Sequence, residues 1–337
     1  MKNVQGINRR ALLLGTAAAA FAARRARAAA DFSYKFATNV PITHPLNIRL
    51  QQAFDRIKQE SGGTLEIQLF PNSQLGADTD VLTQLRSGAV EFFTLSSVVL
   101  STLVPVASID GIGFAMPNYD IVWQAMDGDL GALIRGEIAK TNIVAMRRIW
   151  DNGFRHVTTS TKPIHTPDDL RDVKMRVPVS SLWTSMFRAF GAAPVSINVN
   201  EMYTALQTKI AEGQENPLAP IWTLKIYEVQ KYVALTGHMW DGYWPLANSD
   251  AWQALPGDLQ TIVAKHLDQS ALDQRADLAA LNTSLRSDLE AKGMVFNDVD
   301  KEKFRDRLLQ ADFYKEWRDR YGEASWKILE KYAGNLS

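Results

Sequence analysis

The sequence predicts an α/β protein with two lobes, and three observations lead to this fold class. Strand-like and helix-like patterns alternate over most of the chain, which is typical of sheets covered by helices. The 337 residues exceed the size at which a single hydrophobic core usually divides. Residues 258–292 contain neither Pro nor Gly and predict a helix of about 52 Å, at about 1.5 Å per residue, which is longer than one lobe.

The first part of the chain predicts three strands separated by two helices. Phe32, Tyr34 and Phe36 alternate with polar residues, as in a strand with one buried face. We expect the next helix to begin with Thr43 as its cap and Pro45 in its first turn. Helical connections between strands predict parallel pairing and a doubly wound sheet. The predicted strands are 32–36, 65–69 and 90–95. The predicted helices are one from Pro45 that Gly62 and Gly63 end, and one over 78–86.

The second part of the chain repeats the alternation and then ends it with the long helix. The predicted strands are 143–150, 155–159, 174–177, 212–216 and 232–236, and the predicted helices are 119–126, 128–140, 180–190 and 200–209. Apolar residues keep helical spacing through 258–292, up to Gly293. Two alternatives stay open for this stretch: one helix that braces both lobes, or two helices broken near Ser270 or Asn282.

Residues 1–30 predict an export signal. Arg9 and Arg10 precede an apolar run, 11–23, which is too short to cross a bilayer easily and is followed by small residues suited to cleavage. The paired arginines indicate the twin-arginine route, with cleavage just before Asp31 or within the alanines ahead of it. A basic tail or a membrane anchor is the alternative. We therefore expect a periplasmic mature protein.

Composition and motifs argue against several classes of function. The 37 basic and 37 acidic residues lose six basic members with the signal, so the mature chain is mildly acidic and a poor partner for nucleic acid. Cys is absent, the five His residues lack helical metal spacing, and no phosphate-binding glycine loop or Gly-x-Ser-x-Gly motif occurs. We expect no enzyme, no cofactor and no metal. Exported two-lobed chains of this kind are most often binding proteins.

Two arginines lie where the strands of a sheet open into a ligand cleft. Arg176 ends a predicted strand, and Arg155 follows 152–154 in a similar place. A guanidinium there can hold a carboxylate through two parallel hydrogen bonds, although either arginine could instead belong to an ordinary ion pair. Asn216 precedes Pro217, which favours extended backbone and can direct the amide into the cleft. A simple turn is the alternative for Asn216.

A series of short motifs resembles the solute-binding subunits of TRAP transporters, the tripartite ATP-independent periplasmic type, of the DctP family. The motifs are Asn72–Gly76, Gly153–Arg155, Pro163–Asp169 leading into Lys174–Pro178, Gly191–Pro194, Glu201–Leu206, Glu212–Pro217 and Thr236–His238. Their order along the chain is what makes the resemblance specific, and it extends over nearly all of the mature chain. It implies a two-lobed periplasmic binding protein of the Venus-flytrap type, with parallel or mixed sheets flanked by helices and a long helix bracing both lobes.

The resemblance also implies a binding site for an organic acid. Arg176 would clamp the ligand carboxylate, Arg155 would help from the neighbouring strand, and Asn216 would complete the polar anchor. Family members that bind sialic acid carry a different residue at Val199 and an acid at Ser97, so we expect a smaller and less polar pocket here. Further expected pocket residues are Asn39, Ser96, Ser97, Val199 and His238, with Trp183 and Trp240 as walls for a flat or aromatic acid; as tryptophans they suit a core equally well.

The expected lobes each use two stretches of chain. Lobe I comprises 31–153 and about 243–282, and lobe II comprises 154–242 and about 283–337. The expected function is capture of a C4-dicarboxylate, a keto or hydroxy acid or an aromatic carboxylate by a monomer, which passes it to the small and large membrane permease subunits. The alternatives are a solute-binding protein of an ABC importer, a signalling receptor, and an exported hydrolase or lyase.

Overall fold

Two mixed β-sheets organise residues 30–336, which are the residues that the computed structural model describes. Sheet A has the strand order β2-β1-β3-β11-β4, with β5 paired to β11, and sheet B has the order β12-β10-β6-β9-β7-β8. The strands are β1 (Phe32–Ala37), β2 (Leu65–Phe70), β3 (Phe92–Ser96), β4 (Ile143–Ala145), β5 (Trp150–Phe154), β6 (His156–Thr159), β7 (Lys174–Val177), β8 (Ala193–Ser196), β9 (Gly213–Asn216), β10 (Tyr232–Ala234), β11 (Trp240–Asn248) and β12 (Val295–Asn297).

Helices cover both sheets. The α-helices are α1 (Pro45–Glu60), α2 (Asp78–Ser87), α3 (Ser97–Leu100), α4 (Tyr119–Met126), α5 (Asp129–Ile138), α6 (Ser181–Ala189), α7 (Val199–Gln207), α8 (Leu218–Thr223), α9 (Ser249–Ala254), α10 (Gly257–Ala291), α11 (Lys301–Gln310), α12 (Phe313–Tyr321) and α13 (Glu323–Ala333). Within residues 30–336, no helix combines the length and apolar character needed to cross a membrane. The predicted export signal lies outside the described residues, apart from Ala30.

The strand that completes sheet A is β11, which the sequence patterns did not predict. β1 pairs in parallel with β2 and β3, whereas β11 runs antiparallel to β3, β4 and β5. All nine residues of β11 are buried and the segment contains Gly242 and Pro245, so it lacks the alternation that identifies a half-exposed strand. The observed sheets are mixed, which agrees with the expectation of parallel or mixed sheets. The parallel pairing predicted from the helical connections is found for β1 with β2 and β3.

The stretch after Pro256 is a single helix, α10, so the alternative of two shorter helices is wrong. Its N-terminal half buries Val263 and Leu267 against α1 and β5 beside sheet A. Its C-terminal half buries Leu278 and Leu285 against α8, and the helix also contacts β12 in sheet B. One helix thus packs on both halves of the molecule.

Two short segments connect the sheets directly. Arg155 is the single residue between β5 of sheet A and β6 of sheet B, and 235–239 returns the chain from β10 to β11. The boundaries of the two lobes remain a prediction, and the contacts of the last helix, α13, differ from the predicted grouping. α13 packs on α4 and α5 beside sheet A, so contacts alone would group it with the first lobe.

Two local predictions are corrected. The cap of α1 is His44 rather than Thr43, because the His44 Nδ1 atom accepts the Leu46 backbone N–H at 3.2 Å. His44 is fully buried, and burial lowers its pKa to about 3, so the ring is a neutral acceptor. The predicted strand 143–150 is divided into β4 and the start of β5 by a turn.

Candidate functional site

The site lies where the edges of the two sheets meet. β1 and β3 end at this edge of sheet A, and β7 and β9 end at the facing edge of sheet B, so their following residues approach one another. The cleft is closed by direct contacts, since the Asn198 amide donates to the Thr79 hydroxyl at 3.3 Å across it. A second contact joins the hydroxyls of Ser101 and Ser180 at 3.5 Å.

Arg176 is a buried cation without a carboxylate partner. Its side chain is 2% exposed, Nε donates to the Ile197 carbonyl at 2.8 Å, and Nη1 contacts the Met202 sulfur at 3.3 Å. Among residues 30–336, no acidic side chain lies within ion-pairing distance of it. Burial lowers the pKa of Arg176 to about 10, and the charge of Arg155 acts in the same direction while Glu215 opposes it. Arg176 therefore keeps its charge at neutral pH in an environment that disfavours it.

Asn216 lies beside Arg176 at the end of β9. Its amide nitrogen contacts the same Met202 sulfur at 3.4 Å and also donates to Gln214. Its oxygen accepts from Arg155 at 3.0 Å. The three polar residues predicted to anchor the ligand, Arg155, Arg176 and Asn216, are thus brought together, with Met202 as an apolar neighbour.

Arg155 has the opposite environment, because its guanidinium is surrounded by acids. Nε and Nη2 donate to the two Glu215 carboxylate oxygens at 2.5 and 2.7 Å, and Nη1 donates to Asp241 at 3.1 Å. Burial lowers the pKa of Arg155, but Glu215 and Asp241 outweigh it and the net pKa is raised. Trp183 covers the guanidinium face at 4.6 Å. All three guanidinium nitrogens of Arg155 therefore already donate hydrogen bonds to groups of the protein itself.

His238 lies behind Glu215 rather than at the cleft surface. It is fully buried, its Nε2 is 3.2 Å from Glu215, and its Nδ1 is 2.8 Å from the Thr236 hydroxyl. Burial lowers the pKa of His238, so the ring is neutral and Nε2–H can donate to Glu215. Burial raises the pKa of Glu215, but the charge of Arg155 and the bond from His238 outweigh it and the net pKa is lowered. His238 therefore supports the acid that holds Arg155.

Ser96 and Ser97 each donate to a buried acid. The Ser96 hydroxyl contacts both Asp241 oxygens, at 2.7 and 2.9 Å, and Asn152 donates to the same carboxylate at 2.8 Å. Ser97 donates to Asp110 at 2.7 Å. Burial raises the pKa of Asp110 well above its usual range, and the charge of Asp241 adds to this. Both serines thus connect the floor of the cleft to acids that the sequence did not single out.

Asn39 and Val199 line one cavity of about 300 Å³ between the two sheets. The Asn39 amide donates to both oxygens of Asp78, at 3.0 and 3.1 Å, while its own Oδ1 is buried without a partner among residues 30–336. Asp78 is 4% exposed at the start of α2. Burial raises the pKa of Asp78 to about 6, although the Asn39 bond and the charge of Arg176 pull it down.

The two predicted pocket tryptophans lie in different surroundings. Trp183 is fully buried against Arg155, and its indole N–H has no partner among the described residues. Trp240 packs edge-on against Trp123 and donates to Asp151 at 2.9 Å. Trp240 is therefore a core residue of sheet A, the alternative that the sequence left open for these aromatics, and not a wall shared with Arg176.

Sequence reasoning missed the acids and one hydroxyl of this site. Glu215 stands within a recognised motif but was not paired with Arg155, and Asp78 was assigned only to a helix start. Asp241 and Tyr243 belong to β11, which was not predicted. One signal in the sequence could have found the acids: acidic residues stand at the ends of strands and helices that meet at one edge of a sheet. Asp78, the first residue of α2, is an example.

This fold and this site define a two-lobed receptor that encloses a small molecule between its halves. A family model for bacterial extracellular solute-binding proteins, family 7 (DctP), matches residues 36–317, and the chain belongs to this family. The uncharacterised protein y4mM of Sinorhizobium fredii is 31% identical over 77% of this chain. The match covers 48% of y4mM, so this chain spans about half the length of that relative.

Two solved structures extend the comparison to the whole fold. A TRAP periplasmic solute-binding protein from Sulfurospirillum deleyianum with bound succinate superposes with a TM-score of 0.84 and 25% identity, covering 90% of this chain and 99% of that one. One from Roseobacter denitrificans with bound L-galactonate has the same TM-score, identity and coverage. The predicted family and two-lobed fold are confirmed. Proteins of this family are periplasmic solute-binding proteins rather than enzymes.

Proposed function

We propose that this chain captures an organic acid in its cleft through Arg176 and delivers it from the periplasm to the small and large permease subunits of a TRAP transporter. The observation that carries this proposal is the buried Arg176 guanidinium, which has no acid within ion-pairing distance among residues 30–336. Succinate and L-galactonate, the ligands of the two similar structures, share a carboxylate.

The energetics of Arg176 favour an anionic ligand. A guanidinium held out of water and left unpaired is unfavourable, and a carboxylate can satisfy it through two parallel hydrogen bonds. With a pKa of about 10, Arg176 is charged at the pH of binding. Closure of the cleft excludes water and strengthens the attraction by lowering the local dielectric constant.

Arg155 takes a different part in this proposal. Its charge is balanced by Glu215 and Asp241, so its direct contribution to a ligand carboxylate would be small. Its bond to the Asn216 oxygen instead fixes the amide beside Arg176. In this arrangement Arg155 is a positioning residue, and Arg176 with Asn216 makes the polar contacts to the ligand.

Binding is coupled to closure of the two halves. Thr79 and Asn198 meet across the cleft, and Asn39 and Val199 line one cavity between the two halves. A ligand that touches both halves therefore stabilises the closed form over the open one. The closed, loaded form is the one that we expect the permease to accept.

Calorimetric titration of the purified chain tests the clamp. The panel contains dicarboxylates, keto acids, sugar acids and aromatic acids, and a thermal-shift screen selects those that bind. For a ligand that binds, Arg176→Met should weaken affinity by several hundred-fold or more, about 3–5 kcal/mol, the range found when a buried ion pair loses one partner. Arg86→Met, at an exposed arginine of α2, is the matched control and should leave affinity unchanged. An Arg176→Met variant that binds as tightly as the parent would refute the clamp.

Uptake measurements test delivery. Cells that carry the small and large subunits of the TRAP permease under test should accumulate the radiolabelled acid only when the chain is present. The Arg176→Met variant should not support uptake, and the Arg86→Met variant should. Uptake that proceeds equally without the chain would contradict its assignment to that permease.

A further inference from the structure

The hydroxyl group of Tyr243 is an unpaired polar group at the cleft. The side chain is 5% exposed, and no residue between 30 and 336 forms a hydrogen bond with its hydroxyl. Tyr243 lies on β11 directly opposite Ser96, the last residue of β3. Ser96 ends at the sheet edge that faces Arg176, so the tyrosine stands at the same edge.

Four charged groups act on the pKa of this hydroxyl. Burial raises the pKa of Tyr243, the negative charges of Asp241 and Asp78 raise it further, and the positive charges of Arg155 and Arg176 oppose them. The phenol is therefore protonated at any physiological pH. Strand β3, which pairs with β11, also pairs with β1, and β1 ends just before Asn39, whose amide holds Asp78. Tyr243, Asn39 and Asp78 therefore lie at the same edge of sheet A. A protonated hydroxyl can donate one hydrogen bond and accept others.

Asp78 lies at the start of α2 beside sheet A, whereas Arg176 lies in β7 of sheet B. The charge of Arg176 lowers the pKa of Asp78, but the two side chains form no ion pair. Asp78 is held in place by the Asn39 amide, whose oxygen has no partner among the described residues. This side of the cleft therefore offers hydrogen-bond acceptors, the Asp78 carboxylate and the Asn39 Oδ1 atom, with Tyr243 beside them.

We propose that Tyr243 and Asp78 form a subsite that recognises hydroxyl groups of the ligand, and that this subsite selects hydroxylated monocarboxylates over dicarboxylates of the same length. The inference rests on the proposed function, since it takes Arg176 as the group that holds the single carboxylate. A ligand hydroxyl can donate to Asp78 or Asn39 and accept from Tyr243.

A second carboxylate finds no favourable partner in the same place. It carries no proton to donate, and it would approach Asp78, which repels it at a pH above about 6. Arg155 is already paired with Glu215 and Asp241. Lys225 lines the cavity beside Asn39, but its side chain is exposed, so water screens its charge. A purely apolar chain would leave the Tyr243 hydroxyl and Asn39 oxygen buried without partners, which is also unfavourable.

Calorimetry at pH 8 with two matched series of acids tests the inference. The four-carbon series is D-erythronate, succinate and butyrate, and the six-carbon series is D-gluconate, adipate and hexanoate. Within the series that fits the cleft, we expect the hydroxylated acid to bind at least about tenfold more tightly than the dicarboxylate and the unsubstituted acid, since unpaired buried polar groups are costly.

Two substitutions separate the contributions. Tyr243→Phe removes only the hydroxyl and should weaken binding of the hydroxylated acid by about 5- to 20-fold, the loss typical of one hydrogen bond. Binding of the unsubstituted acid should not weaken and should become tighter, because the variant has no hydroxyl for that acid to leave unpaired. Asp78→Asn should strengthen binding of the dicarboxylate by about tenfold or more, because a like charge is removed. Tyr34→Phe is the matched control: its hydroxyl donates to the Ala251 carbonyl away from the cleft, and ligand affinity should not change.

The outcomes distinguish this inference from the function on which it rests. A dicarboxylate that binds at least as tightly as the hydroxylated acid and is lost in Arg176→Met would overturn the subsite and leave the clamp standing. Unchanged affinity of Tyr243→Phe for the hydroxylated acid, with thermal unfolding showing an intact fold, would also overturn it. Failure of every acid in both series to bind would count against the clamp and the subsite together.

Discussion

Arg155 and Arg176 are both buried at one edge of sheet B, yet their surroundings are opposite. Arg155 is held by Glu215 and Asp241 and its pKa is raised, whereas Arg176 has no acid partner within residues 30–336 and its pKa is lowered to about 10. The same residue type thus serves the structure in one place and is available to an external anion in the other. Exposure alone does not separate them, since both side chains are 2% exposed.

The largest expected effect is the loss of folding stability when Arg155 is replaced. Arg155→Met should lower the free energy of unfolding by about 3–5 kcal/mol, because it leaves two buried carboxylates without their cation. Urea unfolding followed by tryptophan fluorescence measures the loss. Adding Glu215→Gln to the Arg155→Met variant should restore part of the stability, because one of the stranded charges is then absent. If Arg155→Met alone proved as stable as the parent protein, Arg155 would not be a structural ion-pair partner, and the contrast with Arg176 would fail.

Replacing Arg176 by Met should change the free energy of unfolding in the opposite direction. Arg176→Met removes an unpaired buried charge, so the ligand-free protein should gain about 1–2 kcal/mol in unfolding free energy, after the loss of the bond to the Ile197 carbonyl. Urea unfolding without ligand measures this gain, and calorimetry measures the accompanying loss of affinity. Destabilisation comparable to that of Arg155→Met would mean that Arg176 also has a structural partner.

Buried acids extend the comparison to negative charges. Burial raises the pKa of Asp151 to about 7, although Trp240 and Tyr119 donate to it, whereas Glu215 has a cation and a lowered pKa. Folded Asp151 keeps a proton that the unfolded chain, with a usual carboxyl pKa near 3.8, has already lost. Its contribution to stability is therefore present at low pH and decreases as the pH rises from about 4 to about 7.

Asp151→Asn tests this dependence. Between pH 5 and pH 8, the parent should lose about 1–3 kcal/mol of unfolding free energy relative to the variant, since each pKa unit of difference corresponds to about 1.4 kcal/mol at most. Urea unfolding of both proteins at the two pH values measures the difference, which cancels the contribution of other groups. Parallel pH profiles of the two proteins would contradict the raised pKa of Asp151.

The smallest expected effect concerns a neutral buried group far from the charges. His44→Ala removes the cap of α1 and should lower the free energy of unfolding by about 1 kcal/mol, which a thermal unfolding experiment detects as a lower melting temperature. Thr43→Ala is the control and should have little effect, because the structure assigns the capping bond to His44. If Thr43→Ala proved to be the more harmful change, the capping bond would lie with the threonine.

Much of the fold could be predicted because its signals are local. The alternation of Phe32, Tyr34 and Phe36 and the absence of Pro and Gly from α10 act through neighbouring residues, and the structure has the expected strand and helix there. β11 escaped prediction because it is buried on both faces between β3, β4 and β5, so its residues do not alternate. The cap of α1 escaped because a histidine became an acceptor only after burial removed its charge.

The sequence predicted which residues form the site, but it did not predict the role of each one. Arg155, Arg176 and Asn216 do lie together, but nothing in the local sequence indicates which arginine is paired. Glu215 reaches Arg155 because β9 lies antiparallel to β6 with Asn216 opposite His156. Asp241 reaches it because β11 returns to sheet A beside β5. Both partners depend on strand registers between segments that are distant along the chain.

By itself, the sequence determined the alternating elements, the long helix, the family and the presence of guanidinium groups at a sheet edge, since these follow from short-range periodicity and motif order. Only the tertiary structure decided the assignment of charge within the cleft. It paired Arg155 with Glu215 and Asp241 and left Arg176 without an acid partner among residues 30–336. The reason is that electrostatic pairing in a buried site depends on distances of a few ångströms between residues from different strands, and folding alone sets those distances.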